Sequence, residues 1–88
     1  MYQVNYTEKA LKQLVKMDPQ TRKLIKSWIE KNLVGTDNPR RHGKNLRANL
    51  KDYWRYRVAD YRILADIRDE ELLIIAVSIE RRDKVYKD

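Results

Sequence analysis

Cysteine is absent from this 88-residue chain, and histidine occurs once, at position 42. Without cysteine there can be no disulfide, no thiolate zinc site and no Cys–His nucleophile, which suits a reducing cytoplasm, the compartment expected here. A lone imidazole also makes no His pair for a metal. Glycine and proline number two each, too few for a disordered or low-complexity chain, and they build no glycine-rich phosphate loop. No apolar run approaches the roughly 20 residues of a membrane span, and the N-terminus lacks a signal-peptide pattern, so no membrane contact is expected. No carboxylates pair for acid–base work, and Ser27 and Ser78 have no identifiable base. No cofactor and no metal are expected.

What the chain has is positive charge, unevenly placed. Twenty Lys/Arg stand against 13 Asp/Glu, for a formal net charge of +7. Residues 1–37 hold seven basic and four acidic residues, residues 38–68 nine and three, and residues 69–88 four and six. The excess sits in the middle of the chain, as it does in proteins that meet nucleic acid or an acidic protein partner. One domain spanning residues 1–88 is expected from the length.

The hydrophobic spacing divides the chain into six elements. Residues 2–6 alternate as a short strand. Thr7 can cap a helix whose stripe is Ala10, Leu11, Leu14 and Val15. Asp18-Pro19 starts a second helix carrying Leu24, Ile25, Trp28, Ile29 and Leu33, which Gly35 ends. Residues 35–52 read as irregular, anchored by Leu46 and Leu50. Three strands follow at about 53–58, 61–68 and 72–79, the last apolar enough for a central strand covered on both sides. The join at Ala59-Asp60 lacks the glycine or asparagine that a tight hairpin turn favours. The class is α+β, in the order β-α-α-β-β-β, with a helical hairpin on one face of a largely antiparallel four-stranded sheet.

The most informative run is Tyr53-Trp54-Arg55-Tyr56-Arg57. In a strand, residues two apart share a face. Arg55 and Arg57 project together, and burying them under helices would be costly, so they belong on the open face. Trp54, Tyr56 and Val58 take the other side. Arg62 on the next strand, with Arg81 and Tyr86 near the C-terminus, can join the same surface. Guanidinium groups match phosphate oxygens and neutralise charge that builds up as a phosphodiester breaks, but they hold their proton too tightly to be good bases. RNA carries its own nucleophile, the 2′-OH, so such a surface could promote RNA cleavage without histidine or metal. His42, in a basic loop, reads as a surface residue.

With these residues in view, the segment Asn38-Pro39-Arg40, Gly43-Lys44-Asn45-Leu46 and Leu50 through Ile63, with the ending Arg81-Arg82-Asp83-Lys84-Val85-Tyr86, resembles the RelE/ParE superfamily of bacterial type II toxins, on the RelE side. The resemblance implies a toxin that enters the ribosomal A site, amid rRNA, cleaves mRNA there and is blocked by a cognate antitoxin. By it, Arg55 and Arg57 contact RNA and assist catalysis, Arg62 stabilises the scissile phosphate, Arg81 acts at the leaving group, and Tyr86 orients or stacks on the substrate. Lys44, Arg47, Lys51 and Arg82 are expected to hold the RNA around them. The chain departs from the pattern at Glu80, where many relatives have histidine, and at Ala59, where glycine is common. A ParE-type gyrase poison and an antitoxin-binding module without activity are the alternatives on the same fold.

Overall fold

The computed structural model describes residues 1–48 and 51–82. Its elements are β1 (Gln3–Tyr6), α1 (Glu8–Val15), α2 (Pro19–Asn32), β2 (Lys44–Ala48), β3 (Lys51–Val58), β4 (Tyr61–Arg68), a 3-10 turn (Asp69–Glu71) and β5 (Leu73–Arg81). The strands form one sheet in the order β1-β5-β4-β3-β2. β1 runs parallel to β5, and the other neighbours are antiparallel. The α+β class and the two-helix layer are as expected; the strand count is five rather than four. The extra strand, β2, is polar on both sides apart from Leu46. It forms by pairing with β3 rather than through a pattern of its own, as edge strands often do. Leu50 lies outside the described residues.

Both helices begin at their expected caps. Thr7 Oγ1 accepts the Ala10 N–H at 3.1 Å. The Asp18 carboxylate accepts the Thr21 N–H at 3.3 Å and the Thr21 hydroxyl at 2.6 Å. Gly35, at φ +78°, lets the chain leave α2 so that its N–H donates to the Tyr2 carbonyl at 2.8 Å, while the Tyr2 N–H donates to the Thr36 carbonyl at 2.9 Å. Ile25 and Ile29 of α2 and Leu33 at its C-cap pack against Tyr56, Val58, Ile63, Ala65, Ile74, Ala76 and Ile79. Each such aliphatic side chain contributes about 1.5–3 kcal/mol by leaving water. Among the described residues no helix is long and apolar enough to cross a membrane.

The stripe expected on α1 splits. Ala10 and Leu14 are buried, but Leu11 and Val15 are 49% and 68% exposed. Gln13 turns inward instead. β1 ends opposite Ala76, so the rest of β5 has no strand on that side. α1 takes the place of β1 there, and Gln13 Oε1 accepts the Ile79 N–H at 2.7 Å. Nor is β5 covered on both sides: Ile74, Ala76 and Ile79 are buried, whereas Leu73, Ile75 and Val77 are half-buried. The pairing also shifts along β5, with Leu64 opposite Ser78 but Ala65 opposite Ala76. This bulge resets the alternation of side chains beyond it.

The loop before β2 is held by Asp69. Its carboxylate receives a two-pronged bond from the Arg40 guanidinium at 3.0 and 3.1 Å and the Tyr2 hydroxyl at 2.6 Å. The Arg40 and Tyr2 bonds hold the Asp69 carboxyl below its ordinary pKa.

Three outcomes follow from this arrangement. Gln13→Ala leaves a buried N–H unpaired and should cost about 1–3 kcal/mol in urea unfolding. Ala59 holds φ +53°, a left-handed conformation that penalises a Cβ, so Ala59→Gly should raise stability by about 1 kcal/mol in the same assay. Because the Asp69 pKa is depressed by folding, its contribution is complete above the ordinary carboxylate pKa and is lost as pH falls through the folded value. Wild-type stability should therefore drop on acidification below about pH 4 more steeply than that of Asp69→Asn. Part of the slope is muted because the pair is solvent-exposed.

Candidate functional site

β3 and β4 pair through Trp54↔Ala65, Arg55↔Leu64, Tyr56↔Ile63, Arg57↔Arg62 and Val58↔Tyr61. Tyr56, Val58, Ile63 and Ala65 are buried beneath the helices. The pleat then sends Arg55, Arg57, Arg62 and Leu64 to the opposite face, on which no described helix packs. Two rows cross that face. One runs Arg57–Arg62–Glu80 over β3, β4 and β5, and the other runs Lys44–Arg55–Leu64–Ser78 from β2 to β5. Arg57 is exposed, while Arg55 and Arg62 are half-buried. Like charges directly opposite on neighbouring strands cost a few tenths to about 1 kcal/mol.

Not every expected residue joins these rows. Arg81 pairs in register with Tyr61, whose ring packs against the core, so Arg81 starts from the helix-covered side. The cause is the bulge in β5. Had the alternation of Ile74 and Ala76 continued unbroken, position 81 would have faced the open side. The shift gives that place to Glu80, whose carboxylate lies 3.5 Å from Lys9 Nζ on α1. Arg47 is opposite Asp52 and shares the parity of Asn45 and Trp54, away from Lys44. Lys51 has open-face parity, with its ammonium 3.9 Å from Asp66, which Arg68 also meets at 3.3 Å. Exposed Arg82 follows β5, its N–H donating to the Asp60 carbonyl at 2.8 Å beside the β3–β4 turn. Tyr86 lies outside the described residues.

Trp54 and Tyr56 hold the loop that borders the arginines. The Trp54 indole N–H donates to the His42 carbonyl, and the Tyr56 hydroxyl to the Pro39 carbonyl, both at 2.6 Å. Burial raises the Tyr56 phenol pKa, so the hydroxyl remains a donor. Gly43 cannot be replaced: at φ +89°, a Cβ there would lie 2.3 Å from the Arg55 carbonyl and 2.7 Å from Trp54 Nε1. So held, His42 meets the Trp28 ring edge to face, with centroids 5.6 Å apart. A cavity of about 340 Å3 opens here, lined by Trp28, His42, Gly43, Lys44, Arg55 and Arg57. Sequence reasoning left Trp28 in the core and His42 on the surface. The available signal was the pair of glycine and indole positions, Gly43 and Trp54, which only the strand register brings together.

Comparison with known proteins places this geometry. Residues 4–86 match the family model of the ParE toxin of the type II toxin–antitoxin system, parDE. The chain is similar to the RelBE2 toxin–antitoxin complex of Mycobacterium tuberculosis at 28% identity, covering 92% of this chain and 91% of that chain with a TM-score of 0.81. It shares its fold with the archaeal RelE–RelB complex of Pyrococcus horikoshii, at 18% identity, 96% and 98% coverage and a TM-score of 0.74. The intact RelBE complex of E. coli shares the fold too, at 19% identity, 92% and 96% coverage and a TM-score of 0.69. No curated protein matches the chain at a significant level. With nearly all of its sequence inside the family model, the chain belongs to the RelE/ParE superfamily of type II toxins.

Proposed function

We propose that this toxin is a ribosome-dependent endoribonuclease that cleaves mRNA in the A site and thereby stops translation. The observation that carries the reading is that four cations, Arg57, Arg62, Arg55 and Lys44, share the sheet face opposite the helices in two neighbouring rows. In the reaction, the 2′-oxygen of one nucleotide attacks its own 3′-phosphorus and loses its proton. The bond to the 5′-oxygen of the next nucleotide breaks, and that oxygen gains a proton. The products are a 2′,3′-cyclic phosphate and a 5′-hydroxyl. Guanidinium is a poor base, so these side chains act on charge. Arg57 and Arg62 neutralise the equatorial oxygens of the pentavalent phosphorus, and Arg55 and Lys44 hold the adjoining backbone. None of these four cations takes the 2′-OH proton; it leaves to solvent, and solvent returns one to the 5′-oxygen. The ribosome bends the strand so that attack is in line.

Residues 1–88 make up the toxin domain in this reading. Arg82 and Lys51 steer the strand at the margin of the face, and Arg81 and Tyr86 meet the substrate only by analogy with the superfamily. The partner that silences the protein is a cognate antitoxin, as in the RelBE2 and RelE–RelB complexes, and its inhibitory segment is acidic where it meets the basic face. The match to a ParE model favours a second reading, a gyrase poison that acts through protein contacts.

Induced expression should arrest growth, and 5′-end mapping should show new mRNA ends within translated codons. Arg57→Ala and Arg62→Ala should each lower cleavage about 10²–10³-fold, the usual loss when one transition-state donor is removed, while circular dichroism stays unchanged. Arrest with intact mRNA and a DNA-damage response would assign the protein to the gyrase reading instead.

A further inference from the structure

The cavity beside the arginine rows has a composition the cleavage chemistry does not use. Its walls combine two aromatic rings, Trp28 and His42, with three cations, Lys44, Arg55 and Arg57, and no carboxylate. We propose that it holds an unpaired nucleobase, guanine in preference to the others, from the nucleotide beside the scissile phosphate. This inference rests on the RNA reading above.

Location is the first argument. Arg55 and Arg57 belong both to the open-face rows and to the cavity wall. A nucleotide whose phosphate lies on the rows therefore has its base within reach of the cavity. The opening exists because β2 stops opposite Arg55 while β3 runs on to Val58. The edge of β3 beyond that point has no strand neighbour, and the space another strand would fill is left to a ligand.

Chemistry is the second. Bases stack on aromatic and guanidinium planes whatever their identity. Identity is read along the base edge, and the charged groups here are all donors. An acceptor-rich edge is what they suit. The N7 and O6 pair of guanine is the edge that arginine and lysine recognise most often, whereas adenine presents a donor at the corresponding position.

Rigidity is the third. The loop carrying His42 is fixed before any ligand arrives, by the indole bond to its carbonyl and the tyrosine bond to Pro39. Gly43 allows the close approach this needs. A preformed wall spares the ordering cost of binding, and about 340 Å3 lies at the small end of ligand sites, as a single base requires.

The test uses the purified full-length toxin titrated with guanosine monophosphate and adenosine monophosphate, with tryptophan fluorescence as the readout. Saturable quenching by the guanosine nucleotide is expected, with adenosine weaker. His42→Ala, an exposed position, should weaken guanosine binding about tenfold, the effect of losing one stacking partner. Trp28→Phe keeps a ring for the core and should preserve binding while removing most of the quenching. In cells, His42→Ala should flatten the base preference next to the mapped cuts. Equal weak binding of both nucleotides, unchanged by His42→Ala, would overturn the proposal. So would binding of an acidic peptide but no nucleotide, which would give the cavity to a protein partner. Guanosine binding without any mRNA cleavage would leave the pocket standing and remove the nuclease reading. Cleavage with unchanged base preference would do the reverse.

Discussion

The position of Tyr56 in the third strand governs the rest. Its ring is fully buried, 5.7 Å from Trp28 of α2, and its hydroxyl is bonded to the Pro39 carbonyl. A slip of one residue would drive Arg55 and Arg57 under the helices and expose Trp54, Tyr56 and Val58, exchanging a satisfied core for two buried cations. Once Tyr56 is inside, the arginines are outside, Arg57 faces Arg62, and the loop bearing His42 is drawn against the strand.

Much of this was legible in the sequence because local chemistry and global fold agree. Thr7, Asp18 and Gly35 end or begin helices where their side chains or backbone freedom demand it. The arginine alternation survives because its partners in alternation are aromatic and β-branched. Other features were illegible for definite reasons. β2 has almost no apolar pattern, so only its neighbour defines it. The bulge in β5 leaves no mark in the run Leu72 to Ile79, yet it decides that Glu80, not Arg81, stands beside Arg62. Gln13 looked solvent-facing by periodicity, but the early end of β1 leaves an N–H that only a long polar side chain on α1 can reach. Ala59 stands at a positive φ where glycine would be easier, and the pairing on either side enforces the turn.

Arg57 stands opposite Arg62 on the face away from the helices, with Arg55 and Lys44 in the next row. Among the acids near the rows, Glu80 meets Lys9, and Asp66 meets Lys51 and Arg68. Such a face suits a polyanion that approaches along the strands, and an inhibitor that covers it can act by charge and shape together.

The most direct measurement uses purified ribosomes programmed with an mRNA whose A-site codon carries either a ribose or a single 2′-deoxyribose at the attacking nucleotide. The account predicts that the toxin cuts the ribose message to a 2′,3′-cyclic phosphate and leaves the deoxy-substituted message whole. It also predicts that Arg62→Ala cuts neither at a comparable rate. Equal cutting of both messages, or no cutting of either by folded wild-type protein, would contradict it.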